Sequence, residues 1–220
     1  MGLLELLKKK SNIYAKCKVG ETLRLGAYPF ETEKDVRPIE WIVLENKETE
    51  LLLISKYCLD TVGYCGPAPI WGNTSACIWE NSYLRHWLNS DFYNVAFSEK
   101  DKCHIIDTAI ITDAKLNGDL HKNKVFILSE EQATTYFAGS EERKGIPTLY
   151  AKSKGAWLGW TEDTKEYTSW WLLPHIEQTG GQAPRMDYPC AVFPIGETQY
   201  HGRNIGHTDF TVRPVIKIKK

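Results

Sequence analysis

The sequence predicts a single α+β domain, and three observations support that fold class. The 220 residues are 42% hydrophobic and 25% charged, which is typical of an ordinary globular chain. Short apolar runs bounded by turn residues are typical of strands. Serine-initiated segments ahead of apolar positions are typical of helix starts. We predict one domain over residues 19–220, preceded by an N-terminal extension at residues 1–18 that is compatible with a short basic helix.

The domain is predicted to begin with strands. Residues 22–28 form the first strand, which ends at a turn around Pro29. The apolar runs 39–44 and 51–54 flank the polar turn at residues 46–49, and this pattern predicts a hairpin. The following segment, from Cys58 to Cys77, is rich in glycine and proline and is predicted to be a loop.

Helices are predicted in the middle of the chain. Asn81 or Ser82 caps a helix on which Leu84, Trp87 and Leu88 share one face.

A second short helical piece is predicted at residues 92–97, followed by strands at 105–112 and 124–128. Ser129 begins a capping-box pattern, which predicts a helix that ends near Phe137.

The C-terminal part is predicted to mix long loops with strands. Residues 138–168 have weak periodicity, and so long a segment is usually functional or mobile. Trp170 and Trp171 are adjacent in a predicted strand, so they should point to opposite faces. A short strand is predicted at residues 190–193. A closing strand is predicted at 211–219, with one face formed by Val212, Pro214, Ile216 and Ile218.

Charge and cysteine content argue against several classes of function. Twenty-seven basic and 28 acidic residues give a net charge of -1, which provides no electrostatic drive for nucleic-acid binding. We expect no transmembrane segment, because no apolar stretch approaches the length of a membrane span. The N-terminus lacks the pattern of a secretory signal, so a cytoplasmic location with free thiols is expected. The six cysteines form no C-x-x-C pair, and we expect neither a metal nor a cofactor.

Catalytic patterns are weak throughout. Cys103 and His104 are a thiol and an imidazole, but sequence neighbours rarely face each other. Metal binding by His201, His207 and Asp209 is conceivable, although such residues in a polar loop are usually solvated. Seven residues are instead predicted to be structural: Trp41, Trp79, Glu80, Arg85, Trp87, Trp170 and Arg213.

Tryptophan-centred segments occur in an order that resembles a known family. They are LGAYP at 25–29, PIEWIVL at 38–44, LISKY at 53–57, WENS at 79–82, LRHWLN at 84–89, FY at 92–93, AFS at 96–98, FILS at 126–129, WWL at 170–172 and VRP at 212–214. The chain from residue 19 onward is similar to a bacterial domain family of unknown function that is common in gut Firmicutes and their phages. That family resembles the C-type-lectin-like fold, which formylglycine-generating enzymes and the variable proteins of diversity-generating retroelements share.

The resemblance implies a fold and a binding surface. It implies small twisted antiparallel sheets, two to three helices, long loops, and paired first and last strands, so that residues 22–25 lie near residues 214–218. Ligand-facing positions are expected between Trp171 and Val212. The tripeptides by which true C-type lectins bind calcium and sugar are absent, and Leu173 replaces the arginine that usually follows the paired tryptophans of the family.

A non-enzymatic ligand-binding or display domain is therefore the predicted function, with a protein or glycan as its partner. Its site is predicted at rings and adaptable polar groups in the C-terminal loops. These ligand-binding residues are Trp171, Tyr188, Tyr200, His201, Arg203, Asn204, His207 and Asp209. Two alternatives stay open: an enzyme of the formylglycine-generating-enzyme-like superfamily that modifies a protein or small molecule, and a structural module of a phage or surface assembly. Homo-oligomer formation also stays open.

Overall fold

The computed structural model describes residues 14–66, 79–110, 122–174, 190–200 and 208–220. These residues form a mixed α and β structure with small, mostly antiparallel sheets, which agrees with the predicted α+β class. They include six short α-helices, so the expected number of two to three was too low. The strands are β1 (Thr22–Pro29), β2 (Val36–Asn46), β3 (Glu50–Ser55), β4 (Asp60–Thr61), β5 (Thr108–Ala109), β6 (Lys122–Asn123), β7 (Val125–Phe126), β8 (Trp170–Trp171), β9 (Cys190–Val192), β10 (Thr198–Tyr200), β11 (Thr211–Val212) and β12 (Val215–Lys219). The helices are α1 (Tyr83–Trp87), α2 (Tyr93–Ala96), α3 (Glu99–Lys102), α4 (Glu130–Tyr136), α5 (Ser140–Arg143) and α6 (Leu149–Ser153).

The first sheet has the strand order β1-β2-β3-β12-β7. The predicted hairpin is confirmed, because β2 and β3 pair antiparallel with Ile42 opposite Ile54. A register shift between Val43 and Glu45 marks a bulge in β2. Val43 and its neighbour Leu44 are both buried at this point, where simple strand alternation would expose one of them.

A second bulge lies in β1, between Arg24 and Ala27. Arg24 pairs with Glu40 and Ala27 with Pro38, so β1 has one more residue than β2 in this interval. Gly26 takes a φ of 69°, and a Cβ atom there would lie 2.5 Å from the Ala96 carbonyl oxygen, so glycine is required. Strand β1 consequently packs directly against α2 at this point.

The expected pairing of the first and last strands is wrong. Strand β1 pairs with β2, while β12 pairs with β3 and β7, so that Ile54 lies opposite Val215. The two strands do share one sheet, but β2 and β3 separate them. The difference arises because the β1-β2-β3 meander pairs sequential neighbours first, and this leaves the far edge of β3 for the C-terminal strand.

The second sheet has the order β10-β9-β8-β11-β4. Trp170 lies opposite Val192 of β9, and β11 runs parallel to β8. Trp170 and Trp171 are 0% and 1% exposed, because both faces of β8 are covered. Their indole N–H groups donate to the carbonyl oxygens of Arg143 at 3.0 Å and Val62 at 2.8 Å. Strand β9 matches the strand predicted at residues 190–193.

The prediction of one closing strand at residues 211–219 is also wrong. The chain forms β11 in the second sheet, changes direction at Arg213 and Pro214, and continues as β12 in the first sheet. The two strands read as one in the sequence because Val212, Pro214, Ile216 and Ile218 continue a single apolar alternation across the break. Residues on either side of the break are buried, and the segment links the two sheets covalently.

Helix starts follow the predicted caps. The Ser82 side chain accepts from the Arg85 amide at the start of α1, and Ser129 forms the predicted capping box of α4. The short helical piece predicted at residues 92–97 is confirmed by α2, on which Val95 is 68% exposed. The strand predicted at residues 105–112 is shorter, and within its described part it is the two-residue β5.

Four further predictions can be compared with the structure. The loop predicted from residue 58 to 77 contains β4 in its described part. Residues 1–13 of the predicted extension lie outside the described residues, whereas Tyr14 is 4% exposed and packs into the core. In the described ranges, no helix is both long and apolar enough to cross a membrane. The cysteines at 58, 103 and 190 are free thiols.

Candidate functional site

An indole ring stands out from the surface on the segment between α6 and β8. Trp160 is 81% exposed, although most tryptophan rings in folded proteins are largely buried. The neighbouring Trp157 is half-buried, and the two rings meet edge to face with centroids 5.1 Å apart. We call the surface formed by Trp157 and Trp160 the indole platform.

The loop that carries Trp160 is closed by backbone pairing and side-chain bonds. Leu158 forms an antiparallel bridge with Thr168, and the Gly159 amide donates to the Tyr167 carbonyl oxygen at 3.0 Å. The hydroxyl groups of Thr161 and Thr164 are 2.7 Å apart. These bonds fix the backbone on both sides of Trp160, so the exposed ring stands on an ordered support.

The turn requires glycine at position 159, because Thr164 lies too close to leave room for a side chain. A Cβ atom at Gly159 would lie 2.3 Å from the Thr164 hydroxyl oxygen. Any side chain at this position would push the turn apart, because real Cβ contacts are not that short. The glycine therefore sets the position of Trp160 relative to the rest of the loop.

A continuous series of rings connects the indole platform with the core. The Trp157 ring stacks on Phe210 at 5.8 Å and 24°, and meets Phe193 edge to face at 5.8 Å. Phe210 in turn contacts Trp171, which is buried, with centroids 4.7 Å apart. The Trp157 amide donates to the Asp209 carbonyl oxygen at 2.8 Å. The platform is thus anchored on the two described segments that border residues 201–207.

The structure places part of the predicted ligand-binding set beside this platform. Asp209 is half-buried and bonds Trp157 through its backbone. Trp171 is 1% exposed, so it occupies a packing position beneath Phe210 and not a surface position. The backbone of Tyr200 ends β10. The other predicted residues lie outside the described ranges: Tyr188, His201, Arg203, Asn204 and His207.

Trp160 itself was missed by the sequence reasoning, although residues 138–168 were singled out as a segment of functional type. The available signal was an indole between Gly159 and the polar run Thr161, Glu162 and Asp163. A large ring inside a turn-forming sequence has few neighbours that could bury it.

Six of the seven residues predicted to be structural fall into two groups by their burial, and Arg213 is described below. Trp41, Trp79 and Trp170 are at most 1% exposed. Glu80, Arg85 and Trp87 are half-buried.

Arg85 ties neighbouring segments together. Its Nε donates to the Asn123 Oδ1 at 2.7 Å, and its Nη1 donates to the Glu80 carbonyl oxygen at 3.2 Å. These are bonds between segments, which a loop-rich fold needs in order to satisfy buried polar groups.

Arg213 is the remaining residue of the predicted structural set, and it is 3% exposed. Its guanidinium lies over the rings of Phe137 and Trp170, at 4.9 and 5.3 Å from their centroids. Its Nε donates to the Ser55 carbonyl oxygen at 2.9 Å. Burial lowers the pKa of Arg213, and the nearby Cys58 opposes that shift. The side chain therefore holds the crossover between β11 and β12 in place.

A buried carboxylate, Asp60, joins β1, β4 and the end of α6, and we call it with its partners the Asp60 cluster. The Asp60 carboxylate accepts from the Tyr28 hydroxyl and from the Thr61 amide, both at 2.7 Å, and pairs with Lys154 at 2.6 Å. Burial, together with the Asp60 charge, raises the pKa of Tyr28. Burial acts to lower the pKa of Lys154, but the hydrogen bond to Asp60 prevails and raises it. Near neutral pH the hydroxyl therefore stays protonated and the ammonium stays charged, so neither group is set up as a base or nucleophile.

The cysteines show no arrangement for nucleophilic chemistry in the described ranges. Cys103 is exposed, while His104 is buried and its ring meets Tyr14 edge to face at 5.4 Å, so the two neighbours do not share one surface. Burial raises the pKa of Cys58 to about 11 and that of Cys190 to about 12. Both thiols are thus protonated at neutral pH. Among the described residues, no cluster of His, Cys, Asp and Glu has the geometry of a metal site.

Comparison with known proteins identifies the family. The model of a domain of unknown function, DUF6273, matches residues 48–220. No curated protein and no solved structure shows a significant match to the chain. The matched range contains the indole platform, Asp60 with its partner Lys154, and both strands of the C-terminal crossover. Since the match covers well over half of its length, the chain belongs to the DUF6273 family.

Proposed function

We propose that this chain is a non-enzymatic binding or display domain, which recognises a protein or glycan through the indole platform and the C-terminal segments beside it. The observation that supports this proposal is the 81% exposure of Trp160 on a loop held closed by hydrogen bonds. An exposed large ring on an ordered support is typical of recognition surfaces, because it offers contact area without a large loss of side-chain entropy on binding.

The size of the expected contribution follows from the exposed ring. Covering about 80 Å² of an aromatic surface of roughly 200 Å², at about 25 cal/mol per Å², contributes about 2 kcal/mol to binding. This amount is typical of an interface hot spot, for which tryptophan is among the preferred residues. The ring suits both ligand classes, since indoles pack on sugar faces and on apolar protein surfaces alike.

The electrostatics of the described residues favour binding over catalysis. A catalytic acid or base needs a pKa near the working pH, whereas the shifts of Tyr28, Cys58 and Cys190 all lead away from neutrality. The same shifts are expected of groups that serve packing and hydrogen bonding. We therefore place the non-enzymatic function ahead of the enzyme alternative.

A C-type-lectin-like fold, with its relation to variable proteins of diversity-generating retroelements, is also part of the proposal. It rests on the sequence resemblance and on the presence of the first and last strands in one sheet, although β2 and β3 lie between them. A reverse-transcriptase gene near the coding sequence, with a near-duplicate of the C-terminal coding segment, would support that relation. Its absence would argue for a domain that is not diversified.

Binding to a glycan array and to a displayed random-peptide library tests the function. We expect at least one ligand, and we expect Trp160→Ala to weaken its Kd by about thirtyfold, which corresponds to about 2 kcal/mol. Tyr83→Ala, which removes another partly exposed ring, on α1, is the matched control and should leave the Kd unchanged. Failure of the wild-type chain to bind either collection, or full binding by Trp160→Ala, would contradict the proposal.

A triple variant tests the C-terminal segment separately. Joint substitution of Tyr200, Arg203 and His207 by alanine should abolish capture of the ligand while the melting temperature stays nearly the same. Unimpaired capture would place the site outside this segment.

A further inference from the structure

A concave groove lies at the end of the β1-β2 hairpin, among residues that the proposed binding surface does not include. It has a volume of about 310 Å³, which is at the lower end of the range for ligand pockets. Its apolar lining includes the rings of Tyr28, Phe30 and Tyr57. Arg24 and Glu40 bring charge to the same groove. We call this site the hairpin groove.

The rings of the hairpin groove are held in place by their neighbours. Phe30 and Tyr57 meet edge to face with centroids 5.3 Å apart, and the Arg37 guanidinium covers Phe30 at 4.7 Å. The Tyr28 hydroxyl is bonded to Asp60 at 2.7 Å. The apolar wall is therefore formed before any ligand arrives, which reduces the entropic cost of binding.

Arg24 is the groove cation with spare hydrogen-bonding capacity, whereas Arg37 is already paired with both Glu31 and Asp35. The single carboxylate of Glu40 is shared by Arg24, at 3.1 Å, and by Lys56, at 2.9 Å. The Arg24 side chain is 70% exposed, and its contact with Glu40 is made by one nitrogen, Nη2. A guanidinium has five N–H donors, so Arg24 can also bind a second carboxylate.

A second cavity adjoins the first at the same residue. It has a volume of about 520 Å³ and shares Arg24 and Pro38 with the hairpin groove. Its lining is more polar and includes Asn94, Ser98 and Asp101. An occupant that spans both cavities contacts rings on one side of Arg24 and hydrogen-bonding groups on the other. A peptide suits this arrangement, because it has apolar side chains on a polar main chain.

We propose that the hairpin groove binds a short peptide segment in which an apolar side chain, packed on Tyr57 and Phe30, lies next to an acidic side chain that pairs with Arg24. The main chain of the peptide continues past Arg24 into the polar cavity. The charge complementarity at Arg24 selects an acidic peptide, and the ring-lined wall selects its apolar neighbour. This site is separate from the indole platform, so it adds a second partner to the proposed function.

An NMR titration of the ¹⁵N-labelled full chain with the peptide acetyl-Ser-Phe-Glu-Ser-amide tests the proposal. We expect saturable shifts of backbone amides around the groove. Replacing the glutamate of the peptide by glutamine, or its phenylalanine by alanine, should weaken binding by about tenfold or more, because each change removes one of the two recognised groups. Equal binding of all three peptides would overturn the proposal, as would absence of binding by the first.

Variants of the protein test whether the peptide binds in the hairpin groove. Arg24→Gln should weaken binding of the glutamate peptide by about tenfold while the fold stays intact, since its ion pair is at the surface. Lys219→Gln removes an exposed cation from β12 and should bind as the wild type does. Trp160→Ala should also bind normally, which separates this test from that of the indole platform. Binding unaffected by Arg24→Gln, or N-acetyl-phenylalanine binding as tightly as the peptide, would reject the peptide site.

Discussion

Replacement of Asp60 by asparagine should destabilise the domain strongly, because its carboxylate joins three separate segments. The side chain is 2% exposed and holds Tyr28 and Thr61 by hydrogen bonds of 2.7 Å and Lys154 by an ion pair of 2.6 Å. Asparagine keeps one acceptor oxygen and places an NH₂ group where the second oxygen was. It therefore cannot satisfy both the Tyr28 hydroxyl and the ammonium of Lys154.

The magnitude follows from the bonds that are lost. A hydrogen bond to a charged group contributes about 1.5–3 kcal/mol, and the Lys154 pair is discounted because that side chain is 40% exposed to solvent. We expect Asp60→Asn to lower the free energy of unfolding by roughly 2–4 kcal/mol. For a domain of this size the melting temperature should fall by roughly 5–12 °C.

A double-mutant cycle isolates the bond between Tyr28 and Asp60. Tyr28→Phe alone should cost about 2 kcal/mol, and the double variant should cost less than the sum of the singles by about 1–2 kcal/mol. Urea denaturation gives all four free energies, and an unchanged m value shows that the denatured state is the same. The exposed pair between Asp107 and Lys124 is the control, since Asp107→Asn should change stability by about 0.5 kcal/mol or less.

Two results would refute the reasoning about Asp60. A change of less than about 0.5 kcal/mol in Asp60→Asn would show that the carboxylate is not needed to join these segments. Additive effects in the cycle would show that Tyr28 and Asp60 do not interact in solution.

Three further changes test the packing of the domain. Burial raises the pKa of Cys58 to about 11 and that of Cys190 to about 12, from an ordinary thiol value of 9.0. The contribution of these thiols to stability should therefore be complete below pH 9 and should fall above it, by on the order of 1 kcal/mol per pH unit for each thiol. Urea denaturation from pH 8 to 11 measures this fall. Gly145→Ala places a Cβ atom 2.7 Å from Trp170, and calorimetry should show a loss of about 1–3 kcal/mol. Ser129→Ala removes the cap of α4 and should cost about 1 kcal/mol by chemical denaturation.

Matched variants provide the controls for these three changes. Cys58→Ala should flatten the alkaline slope, because it removes one of the two buried thiols with a raised pKa. A Cβ atom at Gly139 would lie 3.9 Å from its nearest neighbour, so Gly139→Ala should change stability by about 0.5 kcal/mol or less. Ser153→Ala, at the exposed end of α6, should be similarly mild. An unchanged alkaline slope in Cys58→Ala would contradict the first prediction. Equal losses of stability in Gly145→Ala and Gly139→Ala, or in Ser129→Ala and Ser153→Ala, would contradict the other two.

Local elements could be predicted from the sequence because their causes are local. The caps at Ser82 and Ser129 and the β2-β3 hairpin depend on residues within a few positions of each other. The break at Arg213 could not be predicted, because the apolar alternation in the sequence continues across it. Which strand pairs with which depends on packing between distant segments, and the resemblance suggested a wrong neighbour for β1.

The candidate site was harder to predict than the fold. A segment containing Trp160 was identified by its weak periodicity, but exposure of a ring depends on which neighbours the tertiary structure brings near it. Trp171 was predicted for ligand contact and is buried, because Phe210 from a distant segment covers it. The hairpin groove likewise combines β1 and β2 with Tyr57, from the segment after β3, and no local pattern links these residues.

The position of β12 between β3 and β7 governs the order in which the first sheet can be completed. Val215 finds its partner Ile54 across more than 150 residues of intervening chain, so this pairing closes a very long loop and should come late in folding. Until then β3, with Leu51, Leu53 and Ile54, offers an unpaired and apolar edge to other molecules. Partly folded chains are therefore open to aggregation through the edge of β3. A substitution that slows the docking of β12 should lower the yield of soluble protein even where the folded protein still binds its ligand normally.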